Sequence, residues 1–370
     1  MVNQEVIVIH PYLKNNRVDK SQRLSEAINL VEAINLDCKY SSSVGLININ
    51  PNTFINKGYV NILKNKIHDL KTQLLYLNTN LSPIQQRNLE NALKCKVIDR
   101  TGLILEIFGS RAKSNEGKLS VKLASLQFQK SRLVRSWTHL ERQRGGAGFM
   151  GGPGEKQIES DKRQITEQIN RIKKKIKKID NIRNIQRDRR IKNNIPIISL
   201  VGYTNSGKST LFNLLTRSNV LSKDMLFASL DSTIRKTRIK NFNLVFVDTV
   251  GFIRDLPTNL IDAFKSTLDE IVNSDLILHI RDSSDDEYLL QKKDVLKILF
   301  ELGIRDDDPR IIEVNNKIDL LEDNNKNFKS NGIRISAISG EGINYLKSSI
   351  SDKLEILYKD TFLLQQSYKT

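Results

Sequence analysis

The chain has 370 residues, 39% of them hydrophobic and 27% charged, which is ordinary for globular domains and excludes a collagen-like or wholly disordered chain. It carries 59 Lys and Arg against 42 Asp and Glu, a formal net charge of +17. No stretch reaches the ~18 uninterrupted apolar residues of a membrane span, residues 1–5 lack the charged and apolar regions of a secretory signal, and Cys38 and Cys95 make neither a disulfide framework nor a metal spacing, so a cytoplasmic location is expected.

Glu5-Val6-Ile7-Val8-Ile9, Gln73-Leu74-Leu75-Tyr76-Leu77 and Lys96-Val97-Ile98 read as short buried strands. Between the last two, Ser82 is placed to cap a helix that opens on Pro83 and runs to Leu93. The first 110 residues therefore predict a small α/β domain.

From there the apolar period changes. Leu119, Leu123, Leu126, Leu133, Trp137 and Leu140 form one helical stripe, and Ile158, Ile165, Ile169, Ile172, Ile176, Ile179 and Ile182 form another. Residues 145–154, with six glycines and Pro153, separate them and forbid a continuous helix. The pattern predicts an antiparallel helical hairpin over residues 111–195, with a glycine-rich tip. The same block holds 23 basic and 8 acidic residues, whereas residues 196–370 hold 23 and 25, so nearly all the positive excess is local. Arg171, Lys173, Lys174, Lys175, Lys177 and Lys178 fall on the polar side of the second arm. A polyanion-binding surface, most simply for nucleic acid, accounts for this distribution. A merely solvated helix face is the plainer reading of the same lysines.

After Pro196 the runs 197–201, 244–247, 276–280, 311–314 and 333–335 are apolar or β-branched and are separated by helix-length segments, which predicts a doubly wound, mostly parallel sheet over residues 196–370. Directly after the first run stands Gly202-Tyr203-Thr204-Asn205-Ser206-Gly207-Lys208-Ser209, a complete phosphate loop. Its backbone amides can surround phosphates, Lys208 can reach the β- and γ-phosphates, and Ser209 can ligate Mg²⁺. Asn316-Lys317-Ile318-Asp319 follows a later strand. Asp319 can accept from both the N1–H and the 2-amino group of guanine, and adenine offers neither donor there, so the nucleotide is expected to be GTP. Ser336-Ala337-Ile338 is placed to support the base through backbone N–H groups. Asp248-Thr249-Val250-Gly251 closes the strand at 244–247, with a carboxylate for the magnesium and an amide for the γ-phosphate. Phe227-Ala228-Ser229-Leu230-Asp231 can fold over the nucleotide, with Ser229 as a second hydroxyl ligand of the metal. Phe252 stands where Ras-like GTPases carry the glutamine that orients water, so slow unaided hydrolysis is expected. His10, His68, His139 and His279 show no mutual spacing for a site and are read as structural, and Trp137 as core.

With these motifs the chain resembles the HflX-type GTPases over essentially its whole length. The most specific carriers lie in the middle block: Glu141-Arg142-Gln143-Arg144-Gly145-Gly146, Gly152-Pro153-Gly154-Glu155 and Gln157-Ile158-Glu159-Ser160-Asp161-Lys162-Arg163. Residues 81–90 and 97–101 resemble the N-terminal domain of the family. The resemblance implies a Mg²⁺-dependent, cytoplasmic and partly ribosome-associated GTPase, expected to be monomeric. Its partners would be GTP, GDP, the large ribosomal subunit and that subunit's RNA, and it would separate stalled or idle ribosomes into subunits. Ser229 stands where the family usually has Thr, which keeps the hydroxyl and loses the methyl. A GTP-regulated RNA-binding or ribosome-assembly factor with little hydrolysis, and a homodimeric coiled coil, stay open on the residues alone.

Overall fold

The computed structural model describes residues 4–15, 20–143, 153–192, 195–218, 227, 233–255, 260, 265–321 and 332–367. The chain divides into two compact units, residues 1–177 with 257–263, and residues 178–256 with 264–370.

The first unit begins with β1 (Glu5–Leu13), α1 (Lys20–Glu32), β2 (Asp37–Leu46), α2 (Lys57–Leu70), β3 (Leu74–Leu77), α3 (Pro83–Leu93), β4 (Lys96–Asp99) and α4 (Arg100–Arg111). Its sheet is parallel throughout, in the order β2-β1-β3-β4. The three strands expected from apolar runs are present. β2 was not, because Lys39-Tyr40-Ser41-Ser42-Ser43 carries no apolar signal: as an edge strand it pairs only with β1 and is mostly half-buried. α3 starts where its cap residues dictate. Gln85 donates its backbone N–H to Ser82 Oγ at 3.2 Å and accepts the Ser82 N–H at 2.9 Å, a reciprocal capping box with Pro83 at the first helical position.

The two long helices are α5 (Asn115–Gln143) and α6 (Pro153–Lys192). Leu123 and Leu126 are buried with Ile169 and Ile172, and Leu119, Ile165 and Ile176 pack around them, so the two predicted stripes bury each other. Burial of each such side chain contributes roughly 1.5–3 kcal/mol. The stripe runs out at Ile182, which is 57% exposed, because α6 has 40 residues against 29 in α5. The glycine-rich tip from Arg144 to Gly152 and the side chain of Trp137 lie outside the described residues.

The second unit contains β5 (Ile197–Gly202), α7 (Lys208–Thr216), β6 (Thr233–Ile239), β7 (Phe242–Asp248), α8 (Lys265–Val272), β8 (Leu276–Asp282), α9 (Tyr288–Glu301), β9 (Ile311–Asn316), a short 3₁₀ turn (Ile318–Leu320), β10 (Ile333–Arg334) and α10 (Ile343–Ser367). The strand order is β10-β9-β8-β5-β7-β6, parallel except for β6, which is antiparallel to β7. β6 escaped the apolar-run criterion because Thr233-Ile234-Arg235-Lys236-Thr237-Arg238-Ile239 places its charges on an exposed edge. β5 is the central strand and α7, α10 and the inner faces of β7, β8 and β9 supply its core. The chain runs to one side of β5 for β6 and β7 and then crosses to the other for β8. The carboxyl end of β5 is thus a topological switch point, where open α/β sheets bind ligands. His279 sits within β8 at 1% exposure, and burial together with the nearby Arg281, Lys292 and Lys208 charges lowers its pKa to about 3. It is a neutral core residue.

Candidate functional site

The loop leaving β5 folds tightly because two of its glycines stand where no side chain fits. A Cβ on Gly202 would collide with the carbonyl of Ile280, and one on Gly207, at φ 89°, with the side-chain amide of Asn316. Asn205 also takes a left-handed backbone, φ 62°. Lys208, first residue of α7, is 6% exposed and donates from Nζ to the Tyr203 carbonyl at 2.7 Å. Burial pulls its pKa down to about 8, with the Asp248 charge opposing the shift. Beside it, Ser209 Oγ donates to Asp248 Oδ2 at 2.7 Å, and Asp248 is fully buried at the end of β7. A hydroxyl next to a buried carboxylate is the hard-oxygen donor set that suits Mg²⁺. Thr249 Oγ1 donates to the Leu200 carbonyl at 2.6 Å and ties the end of β7 to β5.

Residues 252–254 are pinned to the phosphate loop. Phe252 donates its N–H to the Gly202 carbonyl at 3.1 Å and accepts the Thr204 N–H at 2.7 Å. Arg254 donates its N–H to Tyr203 Oη at 2.8 Å, and its guanidinium, 5% exposed, pairs with Glu287 and lies 3.8 Å from Asp294 of α9. Phe252 itself is 2% exposed, so its ring is fixed in the interior.

The third cluster is built on the ends of β9 and β10. Asn316 Nδ2 donates to the Ser206 carbonyl at 2.9 Å, while Asn316 Oδ1 accepts the Ala337 N–H at 3.0 Å. One buried amide thereby joins the phosphate loop to the segment after β10. Lys317, at φ 63°, pairs with Asp282 at 2.7 Å. Ile318 donates its N–H to the Ile335 carbonyl at 3.3 Å, and the turn presents Asp319 to solvent. The Ser336 N–H goes to the Glu341 carbonyl, and Ile338 is 79% exposed. Two of the three amides expected to face a base are thus engaged within the protein.

The structure therefore brings together residues 202–209, 248–251, 316–319 and 336–338 on the carboxyl edge of one sheet. Phe227 is 2% exposed at φ 57°, whereas Ala228, Ser229, Leu230 and Asp231 lie outside the described residues. Sequence reasoning missed the Tyr203 hydroxyl, Arg254, Glu287 and Asp282, whose contacts span tens of positions. Tyr203 lies within the recognised phosphate loop and Arg254 three residues after Gly251, whereas Glu287 and Asp282 stand far from any recognised motif. On α6, Arg171, Lys173, Lys174, Lys175, Lys177 and Lys178 are all exposed, while Ile169 just before them and Ile172 among them are buried. Among the described residues no helix is long and apolar enough to cross a membrane.

Comparison with known proteins gives a consistent set of similarities. A family model described as the GTP-binding GTPase N-terminal region matches residues 21–109, and one described as the GTP-binding GTPase middle region matches residues 111–190. A third, described as 50S ribosome-binding GTPase, matches residues 197–317. The GTPase HflX of Magnetococcus marinus is 46% identical over 340 residues, spanning 90% of this chain and 78% of the relative. That of Escherichia coli is 38% identical over 358 residues, spanning 95% and 83%. Among solved structures, the SsGBP–GDP complex is similar with a TM-score of 0.51 and 26% identity, covering 97% of this chain and 99% of that one.

Proposed function

The chain belongs to the HflX family of GTPases, and we propose that its nucleotide state governs docking of the α5–α6 hairpin on RNA of the large ribosomal subunit, separating stalled or idle ribosomes into subunits. In this reading residues 111–195 act as one RNA-facing hairpin between domains 1–110 and 196–370.

The amides of residues 202–209 surround the phosphates, Lys208 moves from the Tyr203 carbonyl to the β- and γ-phosphates, and the Gly251 N–H meets the γ-phosphate. Ser209, with Ser229 as second hydroxyl and Asp248 acting through water, would hold Mg²⁺, which when bound neutralises charge developing on the phosphate oxygens. Asp319 reads the guanine N1–H and 2-amino group, and Asn316 keeps the base-reading turn and the phosphate loop in one frame. Phe252 offers no polar group to a water, so hydrolysis is slow in the isolated protein and is accelerated when the ribosome orders the loops around the γ-phosphate.

The observation that carries the ribosomal part is the exposed cationic face of α6, whose opposite face is buried against α5. A face of that kind is suited to phosphate contacts and is not needed to hold the hairpin together. Sedimentation of large subunits with the protein and a non-hydrolysable GTP analogue tests it. Co-sedimentation that weakens steeply with salt is expected. Salt-independent association, or none, would overturn it. The buried Phe252 also fits a second reading, an RNA-binding assembly factor that hydrolyses GTP rarely. Subunit separation in the presence of GTP favours the first reading over the second.

A further inference from the structure

We infer that the side-chain hydroxyl of Thr204 orients the water that attacks the γ-phosphate, a task for which residue 252 has no group. Thr204 is 6% exposed, and its Oγ1 is buried without a hydrogen-bond partner among the described residues. A buried hydroxyl left unpaired is a net cost to folding, so its presence is not explained by stability: valine would fill the same volume without that cost.

Its position points to the reacting end of the nucleotide. A Cβ built on Gly251 would fall 2.8 Å from Thr204 Cγ2, 3.0 Å from Thr204 Cα and 3.1 Å from Lys208 Nζ. Thr204, Gly251 and the Lys208 ammonium therefore bound one small volume, and the latter two are the groups assigned to the γ-phosphate. The backbone there is held from both sides. The Thr204 N–H donates to the Phe252 carbonyl at 2.7 Å, and the Phe252 N–H returns to Gly202 at 3.1 Å. In this structure the methyl of Thr204 faces Gly251. The staggered wells of a threonine lie about 120° apart, so one rotamer step brings the hydroxyl to that side without moving the main chain.

In that rotamer the hydroxyl accepts a hydrogen bond from the water and donates its own hydrogen to a γ-phosphoryl oxygen. The bond from the water oxygen to phosphorus forms as the bond from phosphorus to the β–γ bridging oxygen breaks. The electron pair leaves with GDP, the water proton ends on the released phosphate, and Thr204 is returned as a neutral alcohol. The inference rests on the phosphate-loop reading and is independent of the ribosome.

Single-turnover hydrolysis by the isolated full-length chain tests it with Thr204→Val, which keeps the shape, and Thr204→Ser, which keeps the hydroxyl. GTP and GDP affinities are measured on the same preparations. Thr204→Val should slow cleavage on the order of 10²-fold while both affinities stay within about threefold, and Thr204→Ser should recover most of the rate. Wild-type cleavage by Thr204→Val, or an equal loss in Thr204→Ser, would assign the residue to packing and overturn the inference. Failure of the unmodified chain to bind GTP or GDP would instead remove the phosphate-loop reading itself, and the inference with it.

Discussion

Lys208 in the phosphate loop and the lysines of α6 carry the same ammonium group in opposite settings, and the difference separates two ways of meeting a phosphate. Lys208 is 6% exposed, held by one carbonyl, and its pKa is drawn down to about 8 by burial. Its desolvation is already built into the fold, so an incoming polyphosphate meets a poorly hydrated charge that has one carbonyl to leave. Lys173, Lys174, Lys175, Lys177 and Lys178 are exposed, and the buried residues beside them are isoleucines. Each of these contributes little alone and is screened by salt, and the face acts by number. The first setting discriminates one ligand. The second tolerates a long, irregular polyanion.

The comparison is broken most severely at the buried site. Lys208→Met keeps the stem and removes the charge, and GTP affinity should fall on the order of 10³-fold with little loss of folding, as read by nucleotide titration and thermal melting. Unchanged GTP affinity would show that the loop does not work through this lysine.

The exposed face responds differently. Reversal of Lys173, Lys174, Lys177 and Lys178 to Glu preserves helix propensity and the isoleucine stripe, so folding and GTP binding should survive. Affinity for large subunits should drop by roughly 10²-fold or more, and the log–log salt slope should shrink by about 3. Retained co-sedimentation would return these lysines to a solvated face.

Next comes base choice. Asp319→Asn replaces a double acceptor with a group that presents a mismatched donor, so discrimination against GTP and in favour of xanthine nucleotides should reach about 10²-fold. Competition binding with GTP and xanthosine triphosphate decides it, and unchanged specificity would reject Asp319 as the base reader.

The smallest effect concerns a buried base that has given up its charge. His279 titrates near 3 in the folded chain and near 6.5 unfolded, so the unfolded state binds more protons between those values and stability falls as pH drops through that window. His279→Leu should remove this dependence, which amounts to about 2 kcal/mol between pH 7 and pH 5. Melting curves at the two pH values should converge for the variant, and an unchanged difference would place the acid sensitivity elsewhere.

Local features of the fold were legible in the sequence wherever one residue type has one physical job. Ser82, Pro83 and Gln85 start α3, and Gly202 and Gly207 mark a turn that any Cβ would block. Alternating leucine and isoleucine spacings named both hairpin arms and their mutual packing. β2 and β6 were hidden because edge strands need no apolar run: a serine tract and an alternation of charge serve there. The site was legible as separate motifs and not as a framework. Asn316 reaches 110 positions back to Ser206, and Tyr203 reaches 51 forward to Arg254, contacts that only the assembled sheet creates. Arg254 belongs to no sequence motif, and its partner Glu287, at the distant start of α9, meets it only in the folded chain.

The two settings are joined by one claim, that the partner held by the exposed face completes the chemistry of the buried one. Single-turnover GTP hydrolysis with and without saturating purified large subunits measures it directly. Slow cleavage alone and an acceleration on the order of 10²-fold or more with subunits is the predicted result, in keeping with the several kcal/mol that ordered reactants supply. A rate already high in the isolated chain, or one that subunits leave unchanged, would contradict it.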